Sequence, residues 1–267
     1  MKEKVEAPWY GYKGGAFITV ALIGCGVIIT ALAIAFTVLS YSTWQMVICW
    51  SFGLVLLVAA LVWDSMSSVG YAANLRALEE NLLSLLRTYW DGKGKVLDIG
   101  TGSGRLAVPI AREFPEAHVT GVDIWPKSWS AWGLSKERAE KNALIEKVGE
   151  RCTFQYGNAL ELPFEDGEFS LVVSAFTFHG INVPDRIVLL KEAVRVLTPD
   201  GNFVICDLFP RGYKVRNIPE LLEKVQQLGV DDVRHKSLKE AGVDLGGLSF
   251  IWGMSYLSGK KSKNQVL

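Results

Sequence analysis

Val96-Leu97-Asp98-Ile99-Gly100-Thr101-Gly102-Ser103-Gly104-Arg105-Leu106 is an apolar run that ends in three glycines at alternate positions and then resumes an apolar pattern. It reads as a buried strand entering a glycine-rich turn that opens a helix. Glycine has no Cβ, so the backbone at such a turn can take a left-handed conformation and approach a ligand closely. A plain strand-to-helix turn needs one glycine, so three predict a ligand-binding turn. The spacing narrows the ligand. A dinucleotide fingerprint, Gly-x-Gly-x-x-Gly, would place its third glycine at Arg105, and a phosphate-binding loop would end in Gly-Lys-Ser/Thr. Neither pattern is met.

Working outward, short apolar runs alternate with helical patterns. Strands are expected at Lys95 to Ile99, His118 to Val122, Cys152 to Tyr156, Phe169 to Ser174 and Asn202 to Leu208, with helices starting near Gly104, Trp129 and Asp185. A helix from Ile218 to Leu228 follows, and then Val233 to Ser237 and Ser249 to Leu257 read as strands with no helix between them. Such alternation predicts a parallel sheet with right-handed crossovers. Asp123 closes the second strand, where a carboxylate can accept hydrogen bonds from both ribose hydroxyls of a nucleoside.

From Asp98 to Gly104 the chain resembles, without a gap, the first motif of the class I S-adenosylmethionine-dependent methyltransferases, an acid followed by Gly-x-Gly-x-Gly after strand one. The resemblance runs from about Lys95 to Leu257. It implies a Rossmann-like α/β domain with a seven-stranded, mostly parallel sheet ending in an antiparallel hairpin, and S-adenosyl-L-methionine as cofactor. It also implies cofactor contacts from Asp98, Gly100, Thr101, Gly102 and Gly104, from Asp123 as the ribose acid, from Ile124 against adenine, from Asn158 and Ala159 after strand three, and from Ser174 at the end of strand four.

This sequence departs from the family pattern at three places. Asn158 replaces the usual Asp but keeps a carbonyl acceptor for the adenine amino group. Ser170 replaces the Asp common after Phe169. In Leu197-Thr198-Pro199-Asp200-Gly201, which is similar to the family's Leu-Lys-Pro-Gly-Gly turn, Asp200 replaces a glycine at a place where Asp tolerates the left-handed region. His179, after strand four at the carboxyl edge of the sheet, is the candidate general base, with Phe176 and Phe178 read as core or pocket wall. Methyl transfer from a sulfonium is an in-line displacement in which positioning supplies much of the rate. A base is needed only where the acceptor must lose a proton.

Upstream, Gly14 to Trp63 contains no Asp, Glu, Lys, Arg or His, too long a run for one membrane span and suited to two. Spans are expected at Ala16 to Leu39 and Trp44 to Trp63, with Tyr41, Trp44 and Trp63 at headgroup level. Lys2, Lys4 and Lys13 precede the first span and Arg76 follows the second, which places both termini and the catalytic domain in the cytoplasm. The expected organisation is a cytoplasmic N-terminus at 1–15, a transmembrane hairpin in the lipid bilayer at 16–63, an amphipathic linker helix at 64–94, the methyltransferase domain at 95–258 and a basic tail at 259–267. The methyl acceptor is then expected to be a small-molecule or lipid-like, membrane-associated compound.

Other classes are disfavoured. Lys plus Arg equals Asp plus Glu at 28 each, with no long basic run, so no field favours nucleic acid as a partner. Cys25, Cys49, Cys152 and Cys206 lie far apart without a Cys-x-x-Cys pair, arguing against a zinc site or a disulfide framework. No ionisable group falls within the spans, which argues against a transporter. Two alternatives remain open at this point: a non-catalytic nucleoside-binding scaffold of the same fold at the membrane, and an NAD(P)-dependent oxidoreductase. The latter is disfavoured by Arg105 and by the absence of a plausible Tyr-x-x-x-Lys pair among the expected helices.

Overall fold

The computed structural model describes residues 7, 8, 10, 24–29, 31, 34, 43–130, 133–243 and 253–263. The chain divides into two compact units, Tyr12–Arg76 on one hand and Met1–Gly11 with Ala77–Leu267 on the other.

In the first unit, residues 24–29 are helical, and helix α1, Thr43–Tyr89, begins there. Trp44, Ile48, Phe52, Leu54 and Val55 on α1 are exposed. The helix runs through the expected second span and the expected linker helix alike. It continues without a break to Tyr89, because nothing between Asp64 and Arg76 is a helix breaker strong enough to stop it. Among the described residues, no helix is long and apolar enough to cross a membrane, so the two expected transmembrane helices are not seen. Most of the first of them, Ala16 to Leu39, lies outside the described residues, as does the side chain of Trp63.

The second unit is a three-layer α/β/α domain. Its sheet has the order β3-β2-β1-β4-β5-β7-β6, formed by β1 (Gly94–Ile99), β2 (Ala117–Asp123), β3 (Cys152–Tyr156), β4 (Phe169–Ala175), β5 (Leu197–Leu208), β6 (Val230–Ser237) and β7 (Met254–Lys261). The first five strands are parallel and β7 runs antiparallel to both β5 and β6. The helices are α2 (Ala107–Glu113), the short α3 (Lys127–Ser130), α4 (Lys136–Ile145), α5 (Ile187–Arg195) and α6 (Ile218–Gln226).

Strand periodicity builds the two apolar layers, because alternate side chains point to opposite faces. Val96, Leu171, Val173, Val204 and Cys206 face one core, shared with Ala107, Val108 and Ile110 of α2 and with Leu78, Leu82 and Leu86 of α1. Leu97, Ile99, Val172, Phe203 and Ile205 face the other, shared with Leu189 and Leu190 of α5 and Leu221 of α6. Strands covered on both faces read as continuous apolar runs, which is why β1 and β4 stand out in the sequence.

The C-terminal strand corrects the expected organisation. Gly259 to Lys261, read as the start of a solvated basic tail, are the last residues of β7. Lys261 reaches the carbonyl oxygens of Leu197, at 2.8 Å, and Arg195, at 3.1 Å; Arg195 is the last residue of α5, where helix carbonyls lack intrahelical partners. Lys260 pairs with Asp200 at 2.9 Å, and Asp200 takes the left-handed backbone (φ +63°) that its turn demands. The charge pattern conceals a strand because each ammonium meets an oxygen. The stretch from Ser249 to Trp252, expected as part of that strand, lies outside the described residues.

Candidate cofactor and acceptor site

The order β2-β1-β4 puts a topological switch at β1, since the chain leaves it toward β2 and returns on its other side as β4. Ligands of open α/β sheets bind outside the carboxyl ends of the strands at such a point. The glycine turn lies there. Gly100, Gly102 and Gly104 all have positive φ, at +74°, +56° and +80°. The amides of Gly100 and Thr101 donate to the Val122 carbonyl at 2.8 and 3.0 Å, which staples the turn to β2. A Cβ on Gly100 would overlap the side chain of Thr177, whereas one on Gly102 would, among the described residues, meet nothing closer than Leu134, at 3.6 Å. Gly100 is therefore glycine for internal packing, and the Gly102 face is open.

Asp123 ends β2 half-buried beside this face. Its carboxylate accepts the Gly102 amide at 3.0 Å and the Trp125 amide at 2.8 Å, and the Trp125 indole N–H donates to the Gly102 carbonyl at 2.7 Å. Each carboxylate oxygen keeps a second lone pair for a ligand hydroxyl. Trp125 takes a positive φ of +36°, an unusual conformation for a bulky residue, of the kind that concentrates at functional sites. Ile124, next to Asp123, is 49% exposed, an apolar surface that a flat ring can cover.

Asp98 lies behind the turn, fully buried, accepting the Ala107 amide at 3.1 Å. Burial pushes its carboxyl up to about 7, and the neighbouring Asp123 charge adds to the rise against the lowering effect of hydrogen bonds from Thr101 and the Ala107 N–H. It braces the turn from inside.

Three other expected cofactor residues are placed differently from one another. Asn158 is exposed, and its side-chain carbonyl accepts the Leu160 amide at 3.0 Å, a local turn that holds it at the end of β3. Ala159 is buried in the apolar layer shared with Leu162 and Val122. Ser174 is fully buried and donates its hydroxyl to the Ile99 carbonyl at 2.8 Å, so it ties β4 to β1. Ser170, which departs from the family pattern, also joins these two strands. Its hydroxyl reaches the carbonyls of Lys93 and Lys95 at 2.8 and 3.1 Å, at the start of β1.

Across the switch point, His179 sits on a helical turn, Phe178–Gly180, two residues beyond the Thr177 that packs on Gly100. Its Nδ1 lies 2.8 Å from Asp207 Oδ1. Asp207, near the end of β5, is 1% exposed and accepts the backbone amides of Phe178 at 2.7 Å, His179 at 3.3 Å and Leu208 at 2.7 Å. Arg186 joins the two loops, donating to the carbonyls of His179 and Arg211 at 2.5 and 2.8 Å. Sequence reading misses Asp207, Arg186 and Trp125. None belongs to a contiguous motif, and Asp207 lies 28 residues from its partner.

Comparison with known proteins agrees with this geometry. Residues 96–201 match a family described as a methyltransferase domain. The chain is 31% identical over 182 residues to the 27-O-demethylrifamycin SV methyltransferase of Amycolatopsis mediterranei, covering 67% of this chain and 60% of that protein. It is 36% identical over 146 residues to a ubiquinone/menaquinone biosynthesis C-methyltransferase of Rhizobium rhizogenes, covering 54% of this chain and 53% of that protein. Among solved structures, geranyl diphosphate C-methyltransferase from Streptomyces coelicolor A3(2) shares the fold, with a TM-score of 0.51 at 17% identity over 69% of this chain and 79% of that one. The chain spans between 45% and 60% of the length of the curated relatives it matches first. Over residues 96–201 the chain is thus similar to methyltransferase domains. The nicotinamide alternative is set aside by the same match.

Proposed function

We propose that this chain transfers a methyl group from S-adenosylmethionine to a small, largely apolar acceptor encountered at a membrane. The observation that carries the reading is the disposition of Asp123: a carboxylate fixed by two amides, beside the open face of Gly102 and the exposed Ile124. That combination fits an adenosine, with Asp123 for the ribose hydroxyls, Ile124 for the adenine plane and Asn158 for its amino group. Asp98 and the amides of Gly100, Thr101 and Gly104 hold the turn from behind, and Ala159 and Ser174 support the two strands that frame it. When bound, the cofactor supplies an electrophilic methyl group. The chain's own contribution is to orient it and to exclude water.

The apolar character of the acceptor is supported by two features. Relatives are named for quinone and tocopherol methylation, and the run from Gly14 to Trp63 carries no charge, with exposed apolar residues along the start of α1. We assign residues 16–63 to contact with the lipid bilayer, with the domain on the cytoplasmic side. The test of membrane contact is extraction by alkaline carbonate, which should leave the full chain in the pellet and release it only with detergent. Recovery in the supernatant overturns that part.

Cofactor binding is tested by calorimetric titration of the full chain in detergent with S-adenosylmethionine. Micromolar affinity is expected for the wild type, with at least a tenfold loss in Asp123→Ala. A folded chain that binds no S-adenosylmethionine would point instead to a scaffold that keeps the fold without the reaction.

A further inference from the structure

Asp123 and the glycine turn stand at the ends of two different strands. A ligand that touches both binds best where their separation is set before it arrives, because it then has less to order. Resting on the methyltransferase reading above, we propose that Trp125 is the positioning residue that sets this separation, a clamp that joins the ribose acid to the cofactor turn ahead of binding.

Three hydrogen bonds close a ring through Gly102, Asp123 and Trp125. The Gly102 amide donates to Asp123 Oδ2 at 3.0 Å, the Trp125 amide donates to Asp123 Oδ1 at 2.8 Å, and the Trp125 indole N–H returns to the Gly102 carbonyl at 2.7 Å. One residue thus holds both partners, the acid by its main chain and the turn by its side chain. To do so, Trp125 bends back at a φ of +36°, a conformation that persists only where the surroundings over-determine it. Its ring supplies part of that constraint, since it is half-buried and packs against the apolar layer that α1 and α2 share. The indole grips the turn at its carbonyl. On the Cα side, among the described residues, a Cβ at Gly102 would meet Leu134 at 3.6 Å and nothing nearer, so the indole leaves that face clear for a ligand, which a plug would not.

A carboxylate held by one donor can still turn about its side-chain bonds. With a donor on each oxygen, the lone pairs left for ribose hydroxyls point in fixed directions. Losing the indole bond opens the ring: the acid and the turn are then joined by the Gly102 amide alone, and the bent-back Trp125 loses one of the bonds that hold it there. The ordering that Trp125 had supplied falls to the ligand, so the loss is read in affinity. Its size is that of one hydrogen bond, about fivefold in a binding constant.

The experiment uses the full chain in detergent, with S-adenosylmethionine as the probe. First, the nine tryptophans carry nitrogen-15, and the Trp125 indole signal is assigned by its absence from Trp125→Phe. In the wild type without cofactor, this N–H is expected to exchange with deuterium about tenfold or more slowly than a free indole, and to stay as slow at saturating cofactor. Second, calorimetric titration compares the wild type, Trp125→Phe, Asp123→Ala and the double variant. Trp125→Phe keeps an aromatic ring and loses the donor, so its Kd should rise about fivefold. In the Asp123→Ala background the same change should move Kd less than about twofold, because the clamp acts through that carboxylate. A tryptophan needed only for packing would lower the Tm and leave the Kd of the folded chain where it was, which overturns the proposal. So does an indole that exchanges freely in the empty chain, an indole released when the cofactor binds, tighter binding by Trp125→Phe, or equal effects in the two backgrounds. Should Trp125→Phe not fold, Trp125→Tyr takes its place, and should Asp123→Ala bind too weakly to titrate, the indole exchange and the single variant decide. Absence of S-adenosylmethionine binding by the wild type overturns the methyltransferase reading itself, whereas binding together with any of the contrary results overturns only the clamp.

Discussion

The two sides of the switch point are built by different means. On the β1–β2 side one contiguous stretch does nearly everything: the turn from Gly100 to Gly104 is stapled to Val122, and its Gly102 amide fixes the carboxylate of Asp123. On the β4–β5 side nothing is contiguous. His179 is oriented by a buried carboxylate 28 residues further along, and the loops are tied by Arg186 through carbonyl oxygens. On the proposed function, the difference follows from what each side must do. A cofactor common to many reactions is met by backbone geometry, which needs glycines at set spacing. An acceptor particular to one reaction is met by side chains, which any pair of strand ends can bring together.

The contact between the two sides is the tightest test of this division. Thr177 fills the space that a Cβ on Gly100 would occupy, and Gly100 has a φ of +74°. Gly100→Ala therefore incurs both a left-handed backbone penalty and overpacking, together roughly 2–5 kcal/mol. It should also displace the loop that leads to His179. Loss of cofactor binding and a lowered Tm are expected together, with Thr177→Ala in the same chain recovering part of the Tm. A Gly100→Ala chain that melts and binds like the wild type would show that the two sides are not packed against each other as described.

How much of this is legible in the sequence follows the same line. Strand β3 is expected at its observed bounds, and β1, β2 and β4 within one residue at each end, because strands covered on both faces are uninterrupted apolar runs between turn residues. Asp98, Gly102 and Asp123 stand out because the turn imposes a fixed spacing. Strand β7 is expected too early because lysines mark solvent in a sequence, and nothing in Lys260 or Lys261 announces that Asp200 and the end of α5 will receive them. Helix α1 reads as divided at Asp64 because a charge ends an apolar run, but a charge does not end a helix. Asp207 looks like one acid in a strand, and only the sheet order brings it to His179. Ser174 is assigned to the cofactor by position alone, whereas its hydroxyl belongs to Ile99.

Asp98 sharpens the comparison from the cofactor side through pH. Its folded carboxyl titrates near 7, above its ordinary value of 3.8, so between those two values the folded chain holds a proton that the unfolded chain has lost. Stability on this account falls as pH rises from about 4 to about 7, and the full cost, on the order of 4 kcal/mol, is present above 7. Asp98→Asn has no such proton and keeps an acceptor for the Ala107 amide. Its Tm relative to wild type should climb between pH 4 and pH 8, while its affinity for the cationic cofactor falls. A difference in Tm that stays level over that range would mean that Asp98 is not buried behind the turn as described.

The smallest effect separates a framing residue from a binding one. Ser174 lies one strand from the glycine turn, and its hydroxyl is engaged by the Ile99 carbonyl inside the sheet. Ser174→Ala removes one buried hydrogen bond between β4 and β1, which is worth about 1 kcal/mol, and leaves the carbonyl without that partner. The methyl group retained by alanine keeps the packing. Denaturant unfolding should register that loss with an unchanged m-value, while S-adenosylmethionine affinity stays within twofold of the wild type. The contrast with Asp123→Ala is the point of the pair: both residues lie at strand ends on the same edge, and only the one facing the open side of Gly102 should move the binding constant. A tenfold loss of affinity in Ser174→Ala would mean that its hydroxyl leaves Ile99 for the ligand, and that the cofactor side reaches across the switch point into β4.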